Sequence, residues 1–154
     1  MPVTLTPGGT RGGTMPRGSV FRSLSKVYVG LFRLFRGGGP LKGQLLLTTV
    51  GARSGQERTS PVMSFPQSDG TWLVVASAGG SAKHPAWYVN MARNPDEVWI
   101  EVDGRKLRVT PESLHGEERQ DRWRYIVGTR SNFGGYERKT DREIPVIRLK
   151  PAEE

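Results

Sequence analysis

Two short stretches of this sequence carry residues able to grip a ligand. The first, Gly51-Ala52-Arg53-Ser54-Gly55-Gln56-Glu57-Arg58, follows an apolar run at 44–50. The second, Ala76-Ser77-Ala78-Gly79-Gly80, follows another at 72–75 and leads into His84-Pro85-Ala86-Trp87-Tyr88-Val89-Asn90. Gly51, Gly55, Gly79 and Gly80 permit turns and close approach of backbone to a ligand. Arg53 and Arg58 are forked donors suited to phosphate or carboxylate, and Ser54 and Gln56 add neutral donors. Spacing alone leaves two readings open: hairpin turns with solvated arginines, or a cradle for an elongated anionic small molecule.

Other chemistries find little support. His84 and His115 stand apart, with no carboxylate or cysteine at metal-ligand spacing, so no metal site is expected. There is no nucleophile elbow and no Walker loop. So few groups for acid, base or covalent work favour a bound cofactor that carries the hard chemistry.

The elements that would position these residues are short and mostly extended. Residues 43–50, 57–65 and 71–77 read as strands, with Gln67-Ser68-Asp69-Gly70 as a hairpin turn. Pro85 opens a short helix that ends at Asn94-Pro95. The runs 98–102 and 106–109 flank Asp103-Gly104, a strong hairpin signal. Residues 117–127 read as a helix, 128–135 as a loop and 144–149 as the closing strand. Many short antiparallel strands with two or three helices fit a small barrel. Residues 1–18, rich in Gly, Pro and Thr, read as a disordered tail.

Between tail and barrel, a helix over 19–36 is expected, ended by a hinge at Gly37-Gly38-Gly39-Pro40. Arg22, Lys26, Arg33 and Arg36 share one face, with Val20, Leu24, Val27, Tyr28, Leu31, Leu34 and Phe35 opposite and Phe21 and Phe32 flanking them. Such a helix can lie in an anionic membrane surface or pack on its own barrel, and both readings stay open. The chain thus divides into 1–40, a flexible tail plus basic amphipathic helix, and 41–154, the barrel.

The net charge of +8 resides in the N-terminal third: eight basic residues precede the first acidic one, Glu57, and the rest of the chain is balanced. That favours a polyanionic surface touching this end and argues against a nucleic-acid binder. At 154 residues one domain is the default, and the absence of cysteine suits a reducing cytosol. No apolar run approaches the roughly 20 residues needed to span a bilayer, and no secretory signal is expected.

The succession Leu-Leu-Leu-Thr-Thr-Val-Gly-Ala-Arg-Ser-Gly-Gln-Glu-Arg at 45–58, Ala-Ser-Ala-Gly-Gly at 76–80, His-Pro-Ala-Trp-Tyr-Val-Asn at 84–90 and Arg-Asn-Pro at 93–95 resembles the deazaflavin-dependent nitroreductase family. The resemblance continues through Tyr136, Lys139-Thr140-Asp141-Arg142 and Ile144-Pro145-Val146, and covers roughly residues 42–150. It implies a mainly β, α+β fold, the split β-barrel of FMN-binding-like proteins, and an actinobacterial enzyme that uses coenzyme F420. It assigns phosphate and polyglutamate-tail binding to Arg53 and Arg58, and backbone donors to Ser54, Gly55 and Gln56. Pro61 and Met63 would lie beside the ring, Ala76, Ser77 and Ala78 along it, and Trp87, Tyr88 and Asn90 would cover it. The implied reaction is hydride transfer to a quinone or nitro-aromatic acceptor. Tyr136 would be the proton donor or positioner with Ser77 beside it, and Phe133 and Tyr136 would face the substrate.

The sequence departs from the family at three places. Ala52 and Ala78 stand where basic residues are frequent, and Phe133 stands where some relatives carry tyrosine. Rival readings are an FMN protein of the same barrel group and a non-catalytic deazaflavin-binding protein. The expected setting is cytoplasmic, peripheral at the inner face of the plasma membrane, as monomer or homodimer.

Overall fold

The computed structural model describes residues 3–13, 19–35 and 43–153. The described elements are α1 (Ser19–Phe35), β1 (Gln44–Val50), β2 (Glu57–Pro66), β3 (Trp72–Val75), a 3₁₀ turn (Ala78–Gly80), α2 (Ala86–Arg93), β4 (Val98–Val102), β5 (Arg105–Ser113), α3 (Gly116–Thr129), α4 (Asn132–Lys139) and β6 (Val146–Pro151). The strands close an antiparallel barrel in the order β1-β2-β3-β6-β5-β4. β5 makes closure possible: Arg105 to Arg108 pair with β4, and from Val109 the strand pairs with β6. At the β4–β5 turn Asp103 and Gly104 both take positive φ, 53° and 73°, the conformation an Asp-Gly hairpin favours.

Strand alternation sorts the apolar side chains into two cores. Leu45, Leu47, Val74, Ile100, Ile147 and Leu149 fill the barrel, joined by Tyr88 and Met91 from α2. Their neighbours Leu73, Val75 and Val146 point outward to Trp123, Ile126 and Phe133 of α3 and α4. With both faces covered, β3 and β6 become the nearly continuous apolar runs seen in the sequence.

Two expectations need correction. Residues 3–13 do not form a disordered tail. Val3 is buried in the barrel core, Thr4 N donates to Ser113 Oγ (3.0 Å), and Gly9 N donates to Ala82 O (2.8 Å). The segment ends in a parallel bridge from Gly13 to Ser81. Residues 132–135, expected as loop, belong to α4. Two glycines disfavour a helix in isolation, but a Cβ on Gly134 would sit only 3.3 Å from Val127 Cγ1, so glycine lets α4 close onto α3.

α1 matches its expected range and docks by one face. Phe32 is buried, the Tyr28 hydroxyl donates to Gln44 Oε1, and Arg33 grips Glu101 through Nε (3.2 Å) and Nη2 (3.0 Å). Val27 (61% exposed), Leu31 (44%) and Leu34 (73%) form a stripe that the barrel does not cover. The side chains of Val20, Phe21, Arg22, Leu24 and Phe35, together with Arg36, the hinge at 37–40 and residues 14–18, lie outside the described set. No described helix is long and apolar enough to cross a membrane.

Candidate active site

The register locates a gap in the wall. β2 pairs with β1 over residues 57–63, but with β3 only over 64–66. Residues 57–63 therefore have one unpaired edge, on the side of the turn that follows β3. Gly51 N donates to Gln56 O (2.8 Å) and Ser64 N to Gly43 O (2.9 Å), so the even-numbered peptide groups of β2 bond to β1. Those of Thr59, Pro61 and Met63 face the open edge. A proline belongs there because its missing N–H removes no ladder bond.

Two turns flank this edge at one end of the barrel, where Thr49 lies opposite Val98 and Val75 opposite Val146. The first, 51–56, is held by α2. Asn90 is buried; its Oδ1 accepts from Ala52 N (3.0 Å), and its Nδ2 donates to Thr49 Oγ1 (3.4 Å). Asn94 Nδ2 donates to Val50 O (3.2 Å). Within the turn Ser54 Oγ accepts from Gln56 N (3.2 Å), and Gly55 takes a φ of 67° with open space around it. Arg53 and Arg58 are exposed, and neither forms an ion pair among the described residues.

The second turn, 76–81, carries consecutive positive φ at Ala78 (47°), Gly79 (62°) and Gly80 (84°). A buried guanidinium holds it from behind. Arg142 donates from Nη1 to Ala76 O (3.0 Å), from Nη2 to Ser77 O (2.7 Å) and from Nε to Ser81 O (2.8 Å). Nη1 also lies 3.2 Å from His84 Nδ1. Since a guanidinium only donates, Nδ1 accepts, the ring proton sits on Nε2, and Nε2 donates to Thr6 O (2.8 Å). Burial, with the Arg142 charge adding to it, pulls the His84 pKa below its ordinary 6.5, consistent with a neutral ring. Asp141 turns the other way and accepts from Thr10 N (2.8 Å), Thr10 Oγ1 and Arg11 N (3.0 Å), which holds its pKa down at about 2.

α4 closes the site from the other side. A Cβ on Gly80 would come within 2.9 Å of Lys139 Cβ and 3.0 Å of Tyr136 O. The half-buried Tyr136 ring packs edge-on against Phe133 at 5.5 Å. Its hydroxyl accepts from Asn132 Nδ2 (3.2 Å), which leaves the phenolic hydrogen free to donate. The Ser77 hydroxyl, at the end of β3, forms no hydrogen bond among the described residues.

Residues 24–151 match the sequence model of the F420H(2)-dependent quinone reductases. An enzyme of that name from Mycobacterium tuberculosis strain H37Rv is 35% identical over 108 residues, 68% of this chain and 71% of that one. The solved structure of the F420-H2 dependent reductase FDR-A is 38% identical over 71% of this chain and 95% of its own, with a TM-score of 0.62. Another solved chain, a domain-swapped dimer, is 33% identical over 83% of this chain and 99% of its own, with a TM-score of 0.64.

The chain belongs to the F420H(2)-dependent quinone reductase family. It is a split β-barrel oxidoreductase, and its cofactor is coenzyme F420. The residues of this reductase fit such a group. Arg53 and Arg58 offer unpaired cations, the 51–56 turn has room above Gly55, and the β2 edge and Ser77 offer unused hydrogen-bonding groups. A cavity of about 300 Å³, lined by Phe32, Gln44, Gln67, Trp72 and Asp103 among others, lies at the opposite end of the barrel and includes none of these residues.

The positions of the expected site residues differ in kind. Arg53, Ser54, Gly55, Gln56 and Arg58 lie on the turn and the start of the open edge. Pro61 and Met63 follow along that edge, and Ala76, Ser77 and Ala78 lie on the second turn. Trp87 is half-buried against the barrel core. Tyr88 requires correction as a cover for the ring: it is fully buried, and its hydroxyl donates to Thr4 O and accepts from Thr6 N (3.1 Å). Asn90 holds the first turn from within. Phe133 is buried between Phe65 and Tyr136, which makes it a backing for Tyr136. The reductase's structural grip comes from residues given no role by the sequence: Arg142, Asp141, His84 and Asn94. The Lys139-Thr140-Asp141-Arg142 motif is the available signal, but nothing local tells that its arginine points inward.

Proposed function

We propose that this chain reduces a quinone or nitro-aromatic acceptor at the expense of F420H2, with the cofactor lying along the open edge of β2. The observation that carries the reading is that edge, unpaired over residues 57–63 and flanked by two held turns, one bearing Arg53 and Arg58. The arginines would grip the phosphate and the acidic tail, helped by backbone donors at Ser54, Gly55 and Gln56. Pro61, Met63, Ala76, Ser77 and Ala78 would border the ring, with Trp87 at its rim. Bound in the reduced form, the deazaflavin supplies a hydride to the acceptor. Tyr136 has a free phenolic hydrogen on the acceptor side and would deliver or position the accompanying proton. Ser77 would orient the ring through its unused hydroxyl.

The division of labour we infer is a barrel at 41–154 that holds cofactor and acceptor, and an N-terminal part, 1–40, that meets a surface. The stripe Val27, Leu31 and Leu34 supports a peripheral position on an anionic membrane at the cytoplasmic face, where a lipophilic quinone would be met. The kinship to a domain-swapped dimer supports a homodimer, with the monomer as the alternative.

The test is a fluorescence titration of the purified protein with oxidised coenzyme F420, with FMN run in parallel. Saturation by the deazaflavin alone, weakened by Arg53→Ala and Arg58→Ala and by added salt, is the expected result. Saturation by FMN alone would transfer the chain to the flavin proteins of this barrel. Turnover with a menaquinone analogue and with a nitroimidazole then separates the acceptor classes, and tight binding without turnover on either would mark a carrier.

A further inference from the structure

Arg142 is 6% exposed, yet it pairs with no carboxylate among the described residues. Its N–H groups go to three backbone carbonyls and a neutral imidazole. The adjacent Asp141 does not compensate it, because that carboxylate is turned to Thr10 and Arg11. Burial lowers the Arg142 pKa, opposed only by the nearby Tyr88. A buried cation without a counter-charge is costly, and a solvated arginine at the same place would avoid the cost. The three carbonyls it binds all belong to the turn 76–81, on which Ala78 holds an unfavourable positive φ.

We propose that Arg142 is the positioning residue of the deazaflavin-binding turn, and that its unmatched charge acts on the bound ring to favour the ring's anionic form. The inference rests on the cofactor reading given above. Ala76 and Ser77 stand between the guanidinium and the open edge, so the charge is separated from the ring by one layer of backbone and shielded from water. A cation so placed stabilises negative charge on a neighbouring group far more than an exposed one does.

The test reads the ring hydroxyl of oxidised F420, whose ionisation changes its absorbance. In the wild-type complex the chromophore should ionise about 1 pH unit below the free cofactor, the low end of the effect of a neighbouring cation. Arg142→Met should return it toward the free value and weaken binding about tenfold or more. Arg142→Lys should keep most of the ionisation shift while binding more weakly, since a charge remains but the fork is lost. An unshifted ionisation in the wild-type complex overturns the proposal without any variant, and so does a shift that survives in Arg142→Met. Hydrogen exchange of the cofactor-free proteins at residues 77–81 supplies the second readout. Faster exchange confined to this turn in Arg142→Lys supports positioning, and unchanged exchange overturns it. Absence of any saturable F420 binding by the wild-type protein is a different failure, that of the cofactor reading itself.

Discussion

Gly79 and Gly80 are neighbours in the same left-handed stretch, and they should respond differently to the same substitution. Gly79 has a φ of 62°, and a Cβ placed on it would meet no heavy atom within 4 Å. Gly80 has a φ of 84°, and a Cβ there would meet Lys139 Cβ at 2.9 Å and Tyr136 O at 3.0 Å. Gly79→Ala therefore bears only the left-handed backbone cost, partly offset by a stiffer unfolded chain, for a net of about 1 kcal/mol. Gly80→Ala bears the same cost plus the displacement of a helix backbone, which at roughly 1–3 kcal/mol for overpacking brings the total to about 2–4 kcal/mol. For a chain of this size each kcal/mol lowers Tm by roughly 2–4 °C, so the expected losses are about 3 °C for Gly79→Ala and about 9 °C for Gly80→Ala. Urea and thermal unfolding of the two variants beside the wild type measure this directly. Because Gly80→Ala pushes on the segment carrying Tyr136, its kcat should fall by a larger factor than its affinity for F420. Equal losses for the two variants would refute the argument that α4 is seated on the turn through Gly80.

Three further outcomes follow from the same geometry. Removing the acceptor of Ala52 N by Asn90→Ala should cost about 1–3 kcal/mol, since a buried group is left unpaired, and should weaken F420 binding through the loosened 51–56 turn; Thr49 contact alone would predict the stability loss without the binding loss. Ala52→Lys and Ala78→Lys restore cations frequent in relatives, and each should tighten F420 binding several-fold with a steeper salt dependence, whereas unchanged salt dependence would show that the acidic tail passes elsewhere. Acidification should release the N-terminal segment in two windows. The folded-state pKa of His84 lies below 6.5, so protonation favours the unfolded chain, and the stability present above pH 6.5 is lost as pH falls from there toward the folded value. Asp141 adds a contribution present above its ordinary 3.8 and lost as pH falls toward about 2. Urea midpoints across pH should show the first loss flattened by His84→Gln and the second by Asp141→Asn.

What the sequence discloses and what it hides divide along a physical line. Strands, hairpins and the helix at 86–93 are legible because their signals are local: alternation, an Asp-Gly pair, a proline at a helix start. The two glycine turns are legible for the same reason. α4 is not, since Phe133-Gly134-Gly135 reads as loop until Val127 and Phe65 are placed against it. The N-terminal segment misleads because its composition is that of disorder, and its order comes from distant partners, Tyr88, His84 and Asp141. Tyr88 and Asn90 lie two positions apart on one short helix, and only the fold tells that one faces the core and the N-terminal segment while the other reaches the first turn.

The site's main chain is held by side chains that never need to touch the ligand. Asn90 and Asn94 fix the first turn, and Arg142 and Gly80 fix the second, so the groups facing the open edge are largely peptide groups and small side chains. That arrangement suits a planar cofactor, which needs flat, close contact along its length and strong cations only at its charged end. It also ties the N-terminal segment to the chemistry, because His84 links Thr6 to Arg142 and Arg142 links it to the ring-bordering turn. A residue more than 70 positions away in sequence thereby shares a hydrogen-bond chain with the site. Substitutions at Thr6, His84 and Arg142 should act as one unit, their combined effect on F420 affinity falling short of the sum of the single ones.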